Sequence, residues 1–134
     1  MTGTGAAADE HRATAMNAAL EAARAAAGRS EFYETIVDHW LTLDTTAALN
    51  AALGVLHSAG FHIAARDRTR LHAQALEAAR TEFWRRHKII DALDGDVVEA
   101  SIVGVTAALD GYKPATAAEA DAEFKAAVEA AAKA

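Results

Sequence analysis

Apolar residues recur along the chain every three or four positions, the spacing that places them on one face of an α-helix. The clearest stripe consists of Leu49, Ala52, Leu53 and Leu56, and it stops just before Gly60. Few segments alternate apolar and polar residues in the way that half-buried strands do. The pattern therefore predicts an all-α protein folded as a single bundle of five to six helices.

Glycines and short polar residues indicate where these helices begin and end. A glycine closes an apolar-periodic segment at four positions, and Asp94-Gly95-Asp96 is predicted to be a turn. These glycines are Gly28, Gly60, Gly95 and Gly111. The predicted helices begin near Asp9, Ser30, Asp44 or Thr45, Asp67, after Asp96 and at Thr116, with the second and third either separate or continuous.

The two ends of the chain carry different signals. Thr116 and Glu119 have the spacing of a capping box, which opens a last helix with Phe124 and Val128 predicted to point inward. Residues 1–8 are rich in glycine and threonine and predict a disordered tail. The single domain is therefore expected to cover residues 9–134.

Composition narrows the class of protein. Of the 134 residues 38 are alanine, which forms helices well but buries little area, so the core is thin and self-association is expected. The chain has no cysteine, which excludes disulfides and thiolate zinc sites and favours the cytoplasm. We expect no membrane span and no signal peptide, because no long apolar run occurs and the first residues lack a basic start.

Charge is distributed unevenly along the chain. The segment from Arg66 to Lys88 has a net charge of +4, whereas the rest of the chain has −10. On a helical wheel Arg66, Arg70, Arg80 and Lys88 lie within about 80° of one another, with Trp84 among them. This face predicts a binding surface for a partner protein or nucleic acid, with Trp84 as an anchor. The alternatives are a solvated helix face and a tryptophan covered by the last helix.

Catalytic and metal-binding patterns are weak. The six histidines show neither H-E-x-x-H nor Glu-x-x-His spacing, so neither a metal site nor a cofactor is expected. No serine lies in a nucleophile elbow, and no glycine-rich phosphate loop is present, since Gly3 and Gly5 lie in the predicted tail. His72 points to the apolar side of its predicted helix, as a core histidine would.

Three segments of the chain resemble small bacterial HEPN-type domains. The stretch 47–62, AALNAALGVLHSAGFH, is similar to one helix of that family, and Arg66 to His72 is similar to the basic, histidine-containing turn that follows it. Leu109 to Pro114, with the capping box after it, looks like the connection to the last helix of the family. The resemblance implies an α-helical bundle, usually a dimer, found in toxin–antitoxin and defence systems.

The same resemblance bears on catalysis. Active members of the family are metal-independent RNases that use an arginine–polar–x4-6–histidine motif at the dimer interface. Here only Arg66-x5-His72 has that kind of spacing, and it lies on a different helix from the family motif. Ala107-Ala108 stands where the most similar sub-group carries Arg-Asn ahead of a tyrosine, and alanine cannot act as a general base.

Three functions follow from these observations. The favoured one is a HEPN-like, non-catalytic module that binds a partner through the basic helix. The second is a structural or assembly subunit of a larger protein complex. The third is a metal-independent RNase that uses Arg66 and His72.

Overall fold

The computed structural model describes residues 3–28, 37–86 and 94–133. Its five helices are α1 (Gly3–Ala26), α2 (Val37–Ser58), α3 (Ala65–Arg86), α4 (Asp94–Leu109) and α5 (Ala117–Lys133). Two short strands, β1 (Phe61–His62) and β2 (Ala115–Thr116), pair antiparallel. The predicted all-α helical bundle is confirmed, and in the described part of the chain no helix is long and apolar enough to cross a membrane.

Helices α1 to α4 pack around a core in which buried alanines are at least as numerous as buried leucines. The stripe on α2 is buried as predicted, with Leu49, Leu53 and Leu56 at the centre. Helices α3 and α4 approach so closely that a Cβ atom at Gly104 would collide with the backbone carbonyl oxygen of Ala75. Small side chains therefore bring the helices together where large ones would hold them apart.

Three of the four predicted glycine stops are confirmed. Gly28, Gly60 and Gly111 follow α1, α2 and α4 with φ angles of 84°, 97° and 76°, in the left-handed region that glycine adopts without strain. Gly95 differs, because α4 begins at Asp94 and includes it, so the turn predicted there is wrong. A glycine is tolerated in the first turn, where backbone N–H groups have no partner within the helix and an aspartate suits the helix dipole.

The second and third predicted helices are one continuous helix, α2. Asp44, an alternative start for the third helix, is buried inside α2, and its Oδ1 accepts a hydrogen bond of 2.8 Å from the backbone N–H of Gly28. Thr45 is also buried and donates to the Ser101 hydroxyl at 3.1 Å. These polar side chains connect neighbouring helices instead of capping their own. Ser30 and Lys88 lie outside the described residues.

Like α4, two further helices begin earlier than the sequence pattern predicts. Helix α1 starts at Gly3 instead of Asp9, so residues 3–8, predicted to be a disordered tail, form its first turns. Alanine occupies three of these positions and favours the helix. Helix α3 starts at Ala65, two residues before Asp67.

Helix α5 leaves the bundle. Among the described residues it contacts the rest of the chain at its base, through β1, β2 and Arg12 of α1, and it has no buried residue. The prediction that Phe124 and Val128 point inward is therefore wrong, since these side chains are 68% and 51% exposed. Their spacing places both on one helix face, but spacing does not specify what covers that face.

Candidate binding cleft between α3 and α5

A cleft of about 550 Å³ separates α5 from the first turns of α3. One wall carries mainly basic and aromatic side chains from α3, β1 and the segment before β2, together with Asp67, and the other wall belongs to α5 and is apolar except for Glu123. We call it the α3–α5 cleft. Its principal lining residues are His62, Arg66, Arg70, Tyr112, Lys113, Ala120, Phe124 and Ala127.

A buried arginine holds the base of α5 in place. Arg12 donates from Nε to the carbonyl oxygen of Pro114 at 3.0 Å and from Nη2 to Oε1 of Glu119 at 2.8 Å. Its Nη1 donates to Oδ1 of Asp9 at 2.9 Å, and its guanidinium lies 5.9 Å from the ring centroid of Phe61. Arg12 thereby connects α1 to the last connection of the chain and to α5.

Sequence reasoning missed Arg12, although a signal was present. Arg12 lies three and seven residues before Ala15 and Ala19, on the face of α1 that turns out to be buried. Helical periodicity could therefore have marked it as an inward-facing charge. The alanine-rich character of that face hid the signal, because alanine occurs on every side of the helix.

The predicted capping box at the start of α5 is confirmed. Oε1 of Glu119 accepts from the backbone N–H of Thr116 at 3.0 Å, and the Thr116 hydroxyl accepts from the backbone N–H of Glu119 at 3.1 Å. The hydrogen bonds from the Thr116 backbone and side chain, together with the nearby Arg12 charge, lower the pKa of Glu119. The carboxylate thus serves both the helix cap and Arg12.

The two short strands place the cleft residues at one end of the molecule. Phe61 pairs with Thr116 and His62 pairs with Ala115, which brings β1 alongside the segment that carries Lys113. The ring of His11 stacks on Phe61 at 5.3 Å. The strand pair, the capping box and Arg12 together set the direction in which α5 leaves the bundle.

Carboxylates neutralise part of the predicted basic face. Arg80 makes a two-pronged hydrogen bond to Asp38 at 2.8 and 3.1 Å, which lowers the pKa of Asp38. Arg70 lies 3.3 Å from Oδ1 of Asp67. Arg66 makes no ion pair or hydrogen bond with any residue in the described ranges. Among the described residues of this face, the positive charge that stays available is therefore that of Arg66 at the start of α3, in the cleft.

Lys113 and Tyr112 complete the basic wall. Lys113 is exposed and, among the residues that the structure describes, has no ion-pair partner. Tyr112 is half-buried, and burial is the main reason that its pKa is raised, with the negative charge of Asp67 adding to the effect. The phenol therefore keeps its proton at neutral pH and can act as a hydrogen-bond donor.

The structure does not bring Arg66 and His72 together. His72 turns toward α2, where its Nε2 lies 2.7 Å from the Thr46 hydroxyl. That hydroxyl donates its single proton to the carbonyl of Thr42 at 2.7 Å, so His72 must be the donor to Thr46. A separate cavity of about 300 Å³ is lined by His72 with Arg68, whereas Arg66 lines the α3–α5 cleft.

Trp84 lies at the opposite end of α3 from the cleft. It is 51% exposed and packs edge-on against Phe83 at 5.0 Å. Helix α5 does not cover it, because in the described part of the chain α5 packs beside the two strands and Arg12 of α1, at the other end of the molecule. Since 18 residues separate Arg66 from Trp84, the two lie about 27 Å apart along the helix axis. The predicted binding residues therefore divide into two separate surfaces.

Sequence reasoning also missed an apolar groove of about 680 Å³ between α1 and α4. It is lined mainly by Met16, Leu20, Ile102 and Val103.

The residues that the structure describes contain no group of three or more histidine, aspartate or glutamate side chains that could hold a metal ion.

Comparison with known proteins finds no match to any family model and no significant match among the curated proteins or the solved structures. The similarity to HEPN-type domains therefore stays a prediction from sequence. What the protein does must be inferred from the geometry of the chain itself.

Proposed function

We propose that this protein is a HEPN-like, non-catalytic helical module that binds an acidic segment of a partner protein in its α3–α5 cleft. The observation that carries the proposal is that the two walls of the cleft differ in chemistry, one being basic and the other mainly apolar. Arg66 and Lys113 on one wall have no ion-pair partner among the described residues, and Phe124 on the other wall is 68% exposed. A segment with an apolar side chain flanked by carboxylates would satisfy both walls.

Nucleic acid is a less suitable ligand for this cleft. Binding to phosphates depends on an accumulation of positive charge, whereas the chain has a net charge of −6. Asp67 and Glu123 also line the cleft and would repel a phosphate backbone. A peptide that carries only a few carboxylates can place them away from these two side chains, whereas a nucleic acid carries a phosphate at every nucleotide. We therefore favour a protein ligand, in the cytoplasmic toxin–antitoxin or defence setting that the family resemblance implies.

The separation of Arg66 from His72 supports a non-catalytic role. The RNase alternative needs these side chains at one phosphate, but they line different cavities. Ala107 and Ala108, in the family's motif position, lie on α4 and supply no acid, base or cation. The chemistry of the described residues is therefore suited to binding.

The proposal is tested with two labelled polyanions, poly-L-glutamate and single-stranded poly(U), by fluorescence anisotropy at low salt. We expect poly-L-glutamate to bind and Arg66→Glu with Lys113→Glu to weaken it at least tenfold. Arg24→Glu is the control, because Arg24 is exposed on α1 and does not line the cleft. Equal binding by the cleft variant would contradict the proposal, and a preference for poly(U) would favour nucleic acid.

The second candidate, an assembly subunit of a larger complex, is supported by Trp84. An exposed tryptophan is a common anchor of protein interfaces, and this one lies away from the cleft. Co-purification of a tagged chain from its native source would show a stoichiometric complex, and Trp84→Ala would dissociate it while the cleft variant would not.

Self-association is part of the first proposal. Phe124 and Val128 leave an apolar helix face exposed, and alanine provides much of the buried core. Covering such a face with a second chain would add stability that a thin core lacks.

A further inference from the structure

We propose that the occupant of the α3–α5 cleft is helix α5 of a second copy, so that two chains form a symmetric dimer by placing α5 in each other's cleft. This inference rests on the proposed function, because it names the partner that fills the same site. It makes α5 both one wall of the cleft in its own chain and the ligand of the cleft in the other chain.

The chemistry of α5 matches the ligand that the cleft requires. Helical spacing places Ala120, Phe124, Ala127 and Val128 on one face, which is the apolar part. Residues 117–133 carry four acidic and two basic side chains, a net charge of −2. The cleft offers an apolar wall for the first property and Arg66 and Lys113 for the second.

The carboxylates of α5 and the cations of the cleft that would meet in the dimer have no ion-pair partner among the described residues of their own chain. Glu123 and Glu129 make no ion pair with any residue in the described ranges, whereas Asp121 is paired with Lys125 at 3.2 Å. Arg66 and Lys113 likewise have no ion-pair partner in that part of the chain. Two unpaired acids on the helix and two unpaired cations in the cleft make the surfaces complementary.

A chain cannot fill its own cleft with α5, because α5 already forms one side of it. The base of the helix is held by the hydrogen bond from Arg12 to Glu119, by the capping box with Thr116 and by the strand pair. Folding α5 across the cleft would break all three. The helix must therefore come from another chain, and a two-fold axis lets each chain supply it to the other.

A charge exchange between chains tests the inference. The acidic-cleft variant carries Arg66→Glu and Lys113→Glu, and the basic-helix variant carries Glu123→Lys and Glu129→Lys. In either variant alone, like charges meet at both contacts of the dimer. In an equimolar mixture, the acidic cleft of one chain meets the basic helix of the other, and the second contact retains the wild-type charges.

Light scattering and sedimentation report the outcome at low salt. We expect a wild-type dimer, at least tenfold weaker association of each variant alone, and a restored heterodimer in the mixture. Arg24 and Glu21 are exposed on α1, and Arg24→Glu and Glu21→Lys serve as controls that reverse one charge of each sign; they should remain dimeric. All the substituted side chains are exposed, so each variant is expected to fold. Circular dichroism shows whether it does.

Three results would overturn the dimer: a monomeric wild type, a variant that associates normally by itself, or a mixture that stays monomeric. The proposed function fails on a different observation, namely no binding of poly-L-glutamate to the wild-type chain at a protein concentration low enough for light scattering to show a monomer, whose cleft is open. A wild type that stays monomeric at high concentration and binds poly-L-glutamate would remove the dimer and leave the proposed function standing.

Discussion

Arg12 and Glu119, 107 residues apart in the chain, meet through a hydrogen bond of 2.8 Å from the guanidinium Nη2 to the carboxylate Oε1. The arginine side chain is 10% exposed and the glutamate side chain is 50% exposed, so the pair lies at the edge of the bundle. It connects the helix at the beginning of the chain to the helix at the end. Because α5 makes so few other contacts, this pair has a large share in orienting it.

Arg12→Ala is expected to lower the free energy of unfolding by about 1–3 kcal/mol, since it leaves the Pro114 carbonyl without its Arg12 donor and removes one of the two donors to the Glu119 carboxylate. Urea denaturation followed by circular dichroism measures the change. Arg24→Ala, an exposed arginine on the same helix, should change stability by less than about 0.5 kcal/mol. Equal effects of the two substitutions would show that Arg12 does not hold α5 in place.

Glu119 is expected to contribute a pH-dependent part of the stability. Its pKa is lowered in the folded chain from an ordinary value of 4.5, so the folded state favours the charged form. This contribution is fully present above the unfolded-state pKa and is lost as the pH falls through the folded-state pKa. Glu119→Gln should flatten the acidic limb of a plot of thermal midpoint against pH.

Glu21→Gln is the control for that measurement, because Glu21 is exposed on α1 and makes no ion pair within the described residues. Its profile should follow the wild type. An acidic limb that is identical in all three proteins would contradict the role assigned to the Glu119 carboxylate.

Two helix glycines should respond in opposite directions to alanine. Gly104→Ala places a methyl group against the Ala75 carbonyl oxygen, and we expect a loss of about 1–3 kcal/mol. At Gly54, on exposed α2 surface, a Cβ atom meets nothing within 4 Å, so alanine should stabilise by about 0.5–1 kcal/mol. Thermal and urea denaturation of both variants measure the difference, and a Gly104→Ala protein as stable as the wild type would mean that α3 and α4 are farther apart.

We expect the protein not to cleave RNA. Incubation with single-stranded RNA in EDTA should leave the substrate intact, because Arg66 and His72 face different cavities. Cleavage that is lost in both Arg66→Ala and His72→Ala would establish the RNase alternative. Loss in His72→Ala and Arg68→Ala would instead point to the cavity that those two residues share.

Periodicity and propensity predicted those features that depend on neighbours in the chain. The buried stripe of α2, three of the four glycine stops and the capping box between Thr116 and Glu119 all follow from contacts within a few residues. Such features are decided locally, because helical geometry sets which side chains meet at a spacing of three or four.

The tertiary structure decided what covers each face and which charges find partners. Phe124 looks inward from sequence but is exposed, because α5 is directed out of the bundle by contacts with residues about a hundred positions away. Arg80 looks available but is bonded to Asp38, 42 residues earlier in the chain. Amphipathic spacing specifies that a face exists, whereas its occupant depends on the packing of distant segments, which a one-dimensional pattern does not encode.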